Sequence, residues 1–505
     1  MLKNNHNNCS LIFIFLSYLL LIIPYIKSNQ IEIPLKLINT SFTKYPTPKT
    51  IFIKKNSLLN INCLNNYEYS FLSDSQNTLS VNLDILFSLL FAVEVEIGSN
   101  NQKFNLIMDT GSQILWVPEV YSSNTNKNIE NFYNPKSSKT SKKTNQEFEV
   151  FYGTGYCLGY YYQDTINFLS KEKYYMLFGS ANYSVFEVDG SDGIMGLAKS
   201  YPNYLLSPLL ILKKKGILKS TSFSFRYDNK NEQLFFYAGT PHSDFNKKNV
   251  AFCNLLSNSN YEKMLWACQL KTFGLIKNIS NITGDDNIIA DADISVILDT
   301  GTNVILLPYY IILSIEEKLR KFNCVIGSTS KDDFGSESSF MVCFDIYNIP
   351  DISLQFGDYI LILNKYRMFF AVNLELGIKG YVLNVHFQKS LGVAIIGQNF
   401  FTEFHTLFDS ENNVLKFYSD YKNKIINLKD KNSIYDNPDD DKGISFGTLF
   451  LFFMIIIFVL VYLYYRNKKK KIAENENQFE WMGQNNGIDS KYNNINSRND
   501  YNAMI

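Results

Sequence analysis

Two short segments of the chain carry the residue types of an acid–base reaction. They are residues 107–112 (IMDTGS) and residues 297–302 (ILDTGT), and the aspartates Asp109 and Asp299 are 190 positions apart. In each copy an apolar pair precedes Asp-Thr-Gly, and a proline stands nine residues after the aspartate. Two carboxylates brought together share a proton, so one acts as a base on water while the other acts as an acid. A single Asp-Thr-Gly is typical of an ordinary turn, but two copies with matched flanks predict two related lobes.

The residues around each aspartate predict how its carboxylate is held. A short apolar run that ends in Asp-Thr-Gly predicts a buried strand entering a tight turn. Glycine lets the backbone turn sharply beside the carboxylate, and the hydroxyl residue that follows can donate a hydrogen bond to it. The residues expected to support the pair are Thr110, Gly111, Ser112, Thr300, Gly301 and Thr302.

Other segments extend this pattern and resemble a known family. They are residues 91–104 (FAVEVEIGSNNQKF), 151–155 (FYGTG), 191–197 (SDGIMGL) and 395–401 (IIGQNFF). Together with the two Asp-Thr-Gly segments they resemble the pepsin-like (A1-type) aspartic proteases over about residues 86–420. The resemblance implies a mostly β, bilobal acid protease fold and an aspartic-type endopeptidase in which water is the nucleophile. It implies no cofactor and no metal, and the chain contains no zinc-ligand spacing.

The resemblance also assigns individual roles. Asp109 and Asp299 would share the general acid and base work. Tyr152, with Gly153 and Thr154, would form a movable flap over the substrate. The indole of Trp116 would donate to the hydroxyl of Tyr152. Further substrate contacts are expected from Ser191, Ile194 and Asn303.

Three of the site positions depart from the family pattern. Ser191 stands where a phenylalanine often lines the pocket for the residue before the scissile bond, so that pocket should be larger or more polar. Asn303 replaces the more usual serine, so a contact to the substrate backbone can differ. Gln398 replaces an aspartate, and losing that charge should lower the pKa values of the carboxyl pair somewhat.

Length and composition agree with two lobes. The chain has 505 residues, 46% of them apolar, and a formal net charge of zero. This is enough for two sizeable cores, which we place at residues 86–240 and 241–425. The zero charge gives no attraction to nucleic acid. We expect a monomer that binds a protein or peptide substrate. Heavy use of Asn, Lys, Ile and Tyr resembles the plasmepsins and related apicomplexan proteases.

The N-terminal 85 residues precede the catalytic body. Residues 1–28 have Lys3 in a short polar start, followed by an apolar stretch, which predicts a secretory signal peptide. An uncleaved signal anchor is the alternative. By resemblance, residues 29–85 are a propeptide. The alternative is an ordered extension that is never removed.

The C-terminal part has the pattern of a membrane anchor. A polar linker at 426–443 precedes residues 444–465, which are 22 residues without a charge. At roughly 1.5 Å per residue, this transmembrane helix would span about 33 Å, enough for a bilayer core of about 30 Å. Basic residues follow at once, so the tail at 466–505, which we predict to be disordered, should be cytoplasmic. The expected topology is single-pass type I, with the catalytic lobes lumenal or extracellular.

The cysteines are expected to lie in an oxidising compartment, which favours disulfide formation. Cys324 and Cys343 stand where the family has a disulfide in its second lobe. Cys253 and Cys268 flank a predicted hairpin and are candidates for a second bridge. Cys63 and Cys157 either pair or stay free.

We therefore predict a membrane-anchored aspartic endopeptidase that processes secretory-pathway or surface proteins. The alternative is a membrane-tethered binding or adhesion protein that keeps the fold without turnover. The departures at Ser191, Asn303 and Gln398 favour that alternative, whereas the two intact Asp-Thr-Gly segments count against it.

Overall fold

A computed structural model describes most of residues 88–429, together with the backbone of three strands that precede them. The gaps within this range are residues 125–128, 153–154, 171, 186–190, 229, 231–232, 278, 280–283, 330–336, 374–378 and 390. The signal peptide predicted at 1–28, the transmembrane helix at 444–465 and the tail at 466–505 lie outside the described residues, as do Cys63, Gly153 and Thr154. Among the described residues, none of the helices combines the length and apolar character needed to cross a bilayer.

Strands make up most of the described chain. Their bounds are β1 Ile31–Thr40, β2 Thr50–Lys54, β3 Thr78–Asn82, β4 Ser88–Ile97, β5 Gln102–Asp109, β6 Trp116–Asn124, β7 Lys142–Tyr152, β8 Gly155–Asn167, β9 Tyr174–Val185, β10 Gly193–Gly196, β11 Phe223–Asp228, β12 Gln233–Ala238, β13 Val250–Asn254, β14 Ala267–Ile276, β15 Ile288–Leu298, β16 Ile305–Pro308, β17 Cys324–Thr329, β18 Ser338–Cys343, β19 Asp351–Phe356, β20 Tyr359–Leu363, β21 Phe369–Asn373, β22 Lys379–Leu383, β23 Val385–Gln388, β24 Ala394–Ile396, β25 His405–Asp409, β26 Val414–Tyr418 and β27 Ile425–Asn427.

The helices of the described chain are short. The α-helices are α1 Pro208–Lys214, α2 Asn260–Met264, α3 Tyr309–Ser314, α4 Glu316–Leu319, α5 Lys365–Met368 and α6 Gln398–Phe401. Single 3₁₀ turns are found at Pro135–Ser137, Tyr204–Leu206, Ser243–Asn246 and Arg320–Phe322. The abundance of strand follows from many short runs of aromatic and β-branched residues separated by polar turns.

The described strands form two large sheets, which confirms the mostly β, bilobal expectation. One sheet has the order β13-β26-β25-β11-β12-β1-β4-β5-β10-β6-β9-β8-β7. The other has the order β27-β20-β19-β14-β15-β24-β16-β23-β18-β17-β2-β3, with β21 and β22 attached at β18. In each sheet the strand that leads to an aspartate pairs in parallel with a short later strand, β5 with β10 and β15 with β24. This repeated arrangement is the structural counterpart of the repeated motif.

The two lobes share a core built largely from aromatic rings. Phe223 in β11 lies opposite Phe408 in β25, and their rings stack with centroids 4.8 Å apart. Trp266 is 1% exposed and donates from its indole nitrogen to the carbonyl of Leu197, 2.7 Å away. Burying a phenylalanine side chain contributes roughly 1.5–3 kcal/mol. The strands between the lobes therefore form a stable platform for the two aspartate loops.

Part of the segment that we predicted as a propeptide is built into these sheets. The backbone of β1 pairs antiparallel with both β12 and β4. The β2–β3 hairpin extends the second sheet by pairing with β17. Strand β1 therefore belongs to the first sheet and strands β2 and β3 to the second, and removal of residues 29–85 stays a prediction.

The cysteines confirm one predicted bridge and contradict another. Cys324 and Cys343 form a disulfide between the paired strands β17 and β18. Cys253 and Cys268 are buried free thiols, so the predicted second bridge is wrong for this structure. Their strands do not pair with each other, since β13 pairs with β26 and β14 pairs with β15 and β19. The two side chains nevertheless interact, because burial and then Cys253 raise the pKa of the Cys268 thiol. Cys157 is buried, and its pairing with Cys63 stays untested.

Candidate active site

The two Asp-Thr-Gly loops are joined by reciprocal hydrogen bonds. The Thr110 hydroxyl donates to the carbonyl of Leu298 at 2.8 Å and accepts from the backbone N–H of Thr300 at 2.9 Å. The Thr300 hydroxyl donates to the carbonyl of Met108 at 2.6 Å and accepts from the N–H of Thr110 at 3.1 Å. Both threonines are fully buried. Four bonds between residues almost two hundred positions apart therefore lock the two loops in one relative position.

Three of the predicted supporting residues donate hydrogen bonds to the carboxylates. The N–H of Gly111 donates to Asp109 Oδ1, and the N–H of Gly301 donates to Asp299 Oδ1, each over 2.8 Å. The Thr302 hydroxyl donates to Asp299 Oδ2 at 2.7 Å.

Each glycine also makes room for the opposite carboxylate. A Cβ on Gly111 would lie 2.7 Å from Asp299 Cγ, and a Cβ on Gly301 would lie 2.5 Å from Asp109 Oδ1. The two carboxyl groups therefore face each other closely across a pair of glycines.

The surroundings of Asp109 favour its protonated form. Burial and the negative charge of Asp299 raise the pKa of Asp109 well above its usual value, while the hydrogen bond from the Gly111 N–H opposes the shift. Asp109 is 4% exposed. Ser112 adjoins both Asp109 and Tyr152, although its buried hydroxyl oxygen lacks a hydrogen-bond partner of good geometry among the described residues. The pair therefore retains a proton under conditions in which an exposed aspartate would lose it.

A hairpin formed by β7 and β8 covers this pair. Its strands are antiparallel, and the pairing runs to Tyr152 opposite Gly155. The indole of Trp116 donates to the Tyr152 hydroxyl at 2.8 Å, as predicted. Burial and then the charge of Asp109 raise the pKa of Tyr152 well above its usual value, which places this ring close to the carboxyl pair. The described strands of this hairpin therefore place Tyr152 beside the carboxyl pair.

The three predicted substrate contacts lie in different settings. Ile194 in β10 is buried, pairs with Ile107 and packs in the apolar cluster that includes Trp116. Asn303 is half-buried, directly after Thr302. Ser191 is only 5% exposed, and its hydroxyl donates to the carbonyl of Gly193 at 2.8 Å. The Ser191 side chain is therefore turned into its own loop, and its role in a substrate pocket stays a prediction.

Gln398 has a positioning role that sequence reasoning missed. Its side-chain Nε2 donates to the carbonyl of Thr300 at 2.7 Å, and its backbone N–H donates to the carbonyl of Thr302 at 2.8 Å. The residue is 2% exposed. The sequence predicts only the loss of a negative charge at this position, whereas in the structure the glutamine also fixes the second aspartate loop through these two hydrogen bonds.

A second buried cluster of ionisable groups surrounds Asp244. Its Oδ2 lies 3.0 Å from His405 Nδ1 and 3.1 Å from His242 Nδ1. The carboxylate also pairs with Lys247 at 2.8 Å and Arg226 at 3.5 Å. The two histidines and Asp244 could supply three metal ligands. However, the lysine and arginine already balance the carboxylate charge, so the cluster is stable without a cation.

Burial shifts the titration of His405 in this cluster. It lowers the pKa of His405 to about 4, although Asp244 opposes the shift. His405 Nε2 lies 2.9 Å from the Ser224 hydroxyl, so the neutral ring has a partner at each nitrogen.

Comparison with known proteins agrees with this geometry. Residues 90–419 match the family described as eukaryotic aspartyl protease. The chain is 27% identical over 332 residues to pepsin-3 of Oryctolagus cuniculus, covering 64% of this chain and 78% of that protein. It is 24% identical over 340 residues to vacuolar protease A of Aspergillus fumigatus, covering 66% and 79%. It is 27% identical over 330 residues to pepsin A of Sus scrofa, covering 63% and 78%.

The family match covers well over half of the chain and includes both aspartate loops and the flap. The fold and the paired carboxylates agree with it. The chain therefore belongs to the eukaryotic aspartyl protease family and is a pepsin-like, aspartic-type endopeptidase.

Proposed function

We propose that this endopeptidase is anchored in a membrane, uses Asp109 and Asp299 as its catalytic pair, and processes proteins of the secretory pathway or cell surface. The observation that carries the catalytic part is the reciprocal bonding of the two aspartate loops, which brings the buried carboxyl group of Asp109 next to the half-buried one of Asp299. The departures at Ser191, Asn303 and Gln398 favour the non-catalytic alternative, but both carboxyl groups are present, and Gly111, Gly301 and Thr302 donate to them.

In the proposed mechanism, Asp109 holds the proton of the resting pair because its pKa is raised by burial and by Asp299. Asp299 takes a proton from a water molecule, which attacks the peptide carbonyl carbon. Asp109 donates its proton to the carbonyl oxygen. As the tetrahedral adduct collapses, Asp299 gives the proton that it took from water to the leaving nitrogen and the C–N bond breaks. Asp109 takes a proton back from a hydroxyl of the adduct, which leaves a carboxylic acid product and restores the resting pair. General acid and base steps of this kind each contribute roughly 10²–10⁴-fold to the rate.

The flap would complete the substrate site. Tyr152, held by Trp116, would close over the peptide and exclude bulk water from the carboxyl pair. An extended peptide in the cleft would be bound through strand-like backbone hydrogen bonds, and side-chain pockets would set specificity. We include Ser191, Ile194 and Asn303 among the residues that shape those pockets.

The membrane part of the proposal rests on the sequence at both ends of the chain. An apolar N-terminal stretch supports entry into the secretory pathway, and 22 uncharged residues followed by a basic run support a single-pass type I anchor. The anchor favours processing of nearby proteins over digestion in free solution. The composition supports a plasmepsin-like member of the family.

The test is cleavage of a mixed peptide library by the detergent-solubilised full chain between pH 4 and pH 7. We expect cutting by the wild type and a loss of at least about 10²-fold in Asp109→Asn and in Asp299→Asn. Asp286→Asn is the matched control, because Asp286 is exposed on a loop of the second lobe. Equal cutting by wild type and Asp109→Asn would refute the assignment of the pair. No cutting by the wild type, even after removal of residues 29–85, would favour the binding-protein alternative.

Membrane anchoring is tested separately by alkaline extraction of membranes from cells that express the full chain. We expect the full chain to stay in the membrane pellet and a chain ending at residue 429 to be released. Release of the full chain would contradict the anchor.

A further inference from the structure

Three aromatic rings line up on the outer face of the flap, one from each of three neighbouring strands. Phe151 in β7 and Tyr156 in β8 have ring centroids 5.9 Å apart, and Tyr156 and Tyr183 in β9 have centroids 5.7 Å apart. The ring planes are inclined by 30° and 34° in the two contacts. We call these three residues the flap ladder.

The strand register places the flap ladder opposite the catalytic face. Phe151 pairs directly with Tyr156 across the hairpin, so both side chains point to the same face. Successive side chains in a strand alternate between faces, and Tyr152 accordingly points the other way, towards Trp116. Phe151 is 71% exposed, so the flap ladder faces solvent.

The far end of the ladder is fixed to the body of the first lobe. Tyr183 lies in β9, which pairs in parallel with β6, the strand that begins with Trp116. By contrast, β7 is the edge of its sheet and pairs only with β8. A two-stranded hairpin is only marginally stable by itself. The tip of the flap therefore depends on contacts that reach back to β9.

A polar contact strengthens the same connection. Hydrogen bonding with Tyr183 raises the pKa of Tyr156, which brings their two hydroxyl groups together. The flap tip is thus held on its inner face by Trp116 and Tyr152 and on its outer face by the ladder.

We infer that Phe151, Tyr156 and Tyr183 are positioning residues for Tyr152, since their stacking sets the fraction of time that the flap is closed. The inference rests on the proposed function, because it concerns the flap of that active site. Aromatic pairs stabilise the conformation in which they stack. Removing one contact should therefore open the flap more often and weaken substrate binding, with little effect on the chemical step.

The experiment compares Tyr183→Ala with Tyr175→Ala in the full chain. Tyr175 lies in the same strand and is 52% exposed, but it is not part of the ladder. Hydrogen–deuterium exchange of the backbone amides of residues 148–160 is measured without substrate. We expect Tyr183→Ala to speed this exchange about 3–10-fold, and Tyr175→Ala to leave it unchanged.

Kinetics on one library-derived peptide give the second measurement. We expect KM to rise about 3–10-fold in Tyr183→Ala while kcat stays within about twofold of the wild type. Phe151→Thr should behave in the same way. Since the Phe151 side chain is 71% exposed, this variant should keep the wild-type melting temperature in thermal denaturation. Tyr183→Phe keeps the aromatic ring, so its exchange rates and its KM should stay close to the wild-type values.

The inference is overturned if Tyr183→Ala and Tyr175→Ala show the same exchange rates and the same KM. It is also overturned if Tyr183→Ala lowers kcat with KM unchanged. Exchange does not require turnover, so a wild type that cleaves no peptide would contradict the proposed function while the exchange rates still decide the role of the ladder.

Discussion

Replacing Gly301 by alanine tests whether the close approach of the two aspartate loops controls activity. In the structure, the added Cβ would lie 2.5 Å from Asp109 Oδ1 and 2.7 Å from Asp109 Cγ. Ordinary van der Waals contact begins at 3.4 Å, so the carboxylate or the loop must move by about 0.9 Å. The reciprocal threonine bonds resist a movement of the loops, so most of the displacement should fall on the Asp109 side chain.

The expected cost follows from the geometry of catalysis. A misplacement of about 1 Å of a reacting group can lower the rate by roughly 10²-fold, which corresponds to about 2.7 kcal/mol in the activation free energy. We therefore expect Gly301→Ala to lose about 10²-fold in kcat/KM. The reciprocal variant Gly111→Ala should act in the same way on Asp299, because its Cβ would lie 2.7 Å from that carboxyl carbon.

The assay is peptide cleavage, with thermal unfolding measured in parallel to confirm that the variant is folded. Gly392→Ala is the matched control, since a Cβ there would meet open space and it should keep wild-type activity. If folded Gly301→Ala cleaves the peptide within about threefold of the wild-type rate, the carboxyl pair does not depend on this approach and the reasoning fails.

Three other predictions follow from single contacts. Trp116→Phe removes the indole donor 2.8 Å from the Tyr152 hydroxyl and should lower kcat/KM about tenfold, as measured by peptide cleavage. An unchanged kcat/KM would show that this hydrogen bond does not contribute to flap closure. His405 has a pKa lowered to about 4, so below pH 6.5 the unfolded chain binds a proton that the folded chain does not. Stability should thus fall by up to about 3 kcal/mol between pH 6.5 and pH 4, and denaturant unfolding should show a smaller fall in His405→Gln; equal falls would contradict the assignment. Replacing both Cys324 and Cys343 by alanine opens a bridge with a sequence separation of 19 and should lower the free energy of unfolding by about 3 kcal/mol, whereas an unchanged melting temperature would show that the bridge does not stabilise the lobe.

Much of the active site could be predicted from the sequence because its chemistry is encoded in short contiguous segments. The Asp-Thr-Gly turns place donors next to each carboxylate within a few residues, as the bonds from Gly111, Gly301 and Thr302 illustrate. The alternation of side chains in a strand likewise sets Tyr152 and Phe151 on opposite faces of the flap. Such local rules operate without knowledge of the rest of the chain.

Contacts between distant segments were decided only by the tertiary structure. Gln398 was interpreted through its missing charge, but the fold brings its amide to the carbonyl of Thr300, 98 positions away. Spacing along the chain also did not reveal that Cys253 and Cys268 lie on strands that pair with other strands, where they are interacting free thiols and form no bridge.

The cluster around Asp244 shows the same limit. Asp244 lies in a 3₁₀ turn, its histidine partner His405 is 161 positions away in β25, and Arg226 comes from β11. A polar group becomes buried, and its pKa shifts, only when the elements around it have packed together. The sequence by itself therefore determined the reacting carboxyl groups and the hairpin beside them. Packing decided how the two aspartate loops bond to each other, that Gln398 supports the second loop, and which ionisable groups are buried.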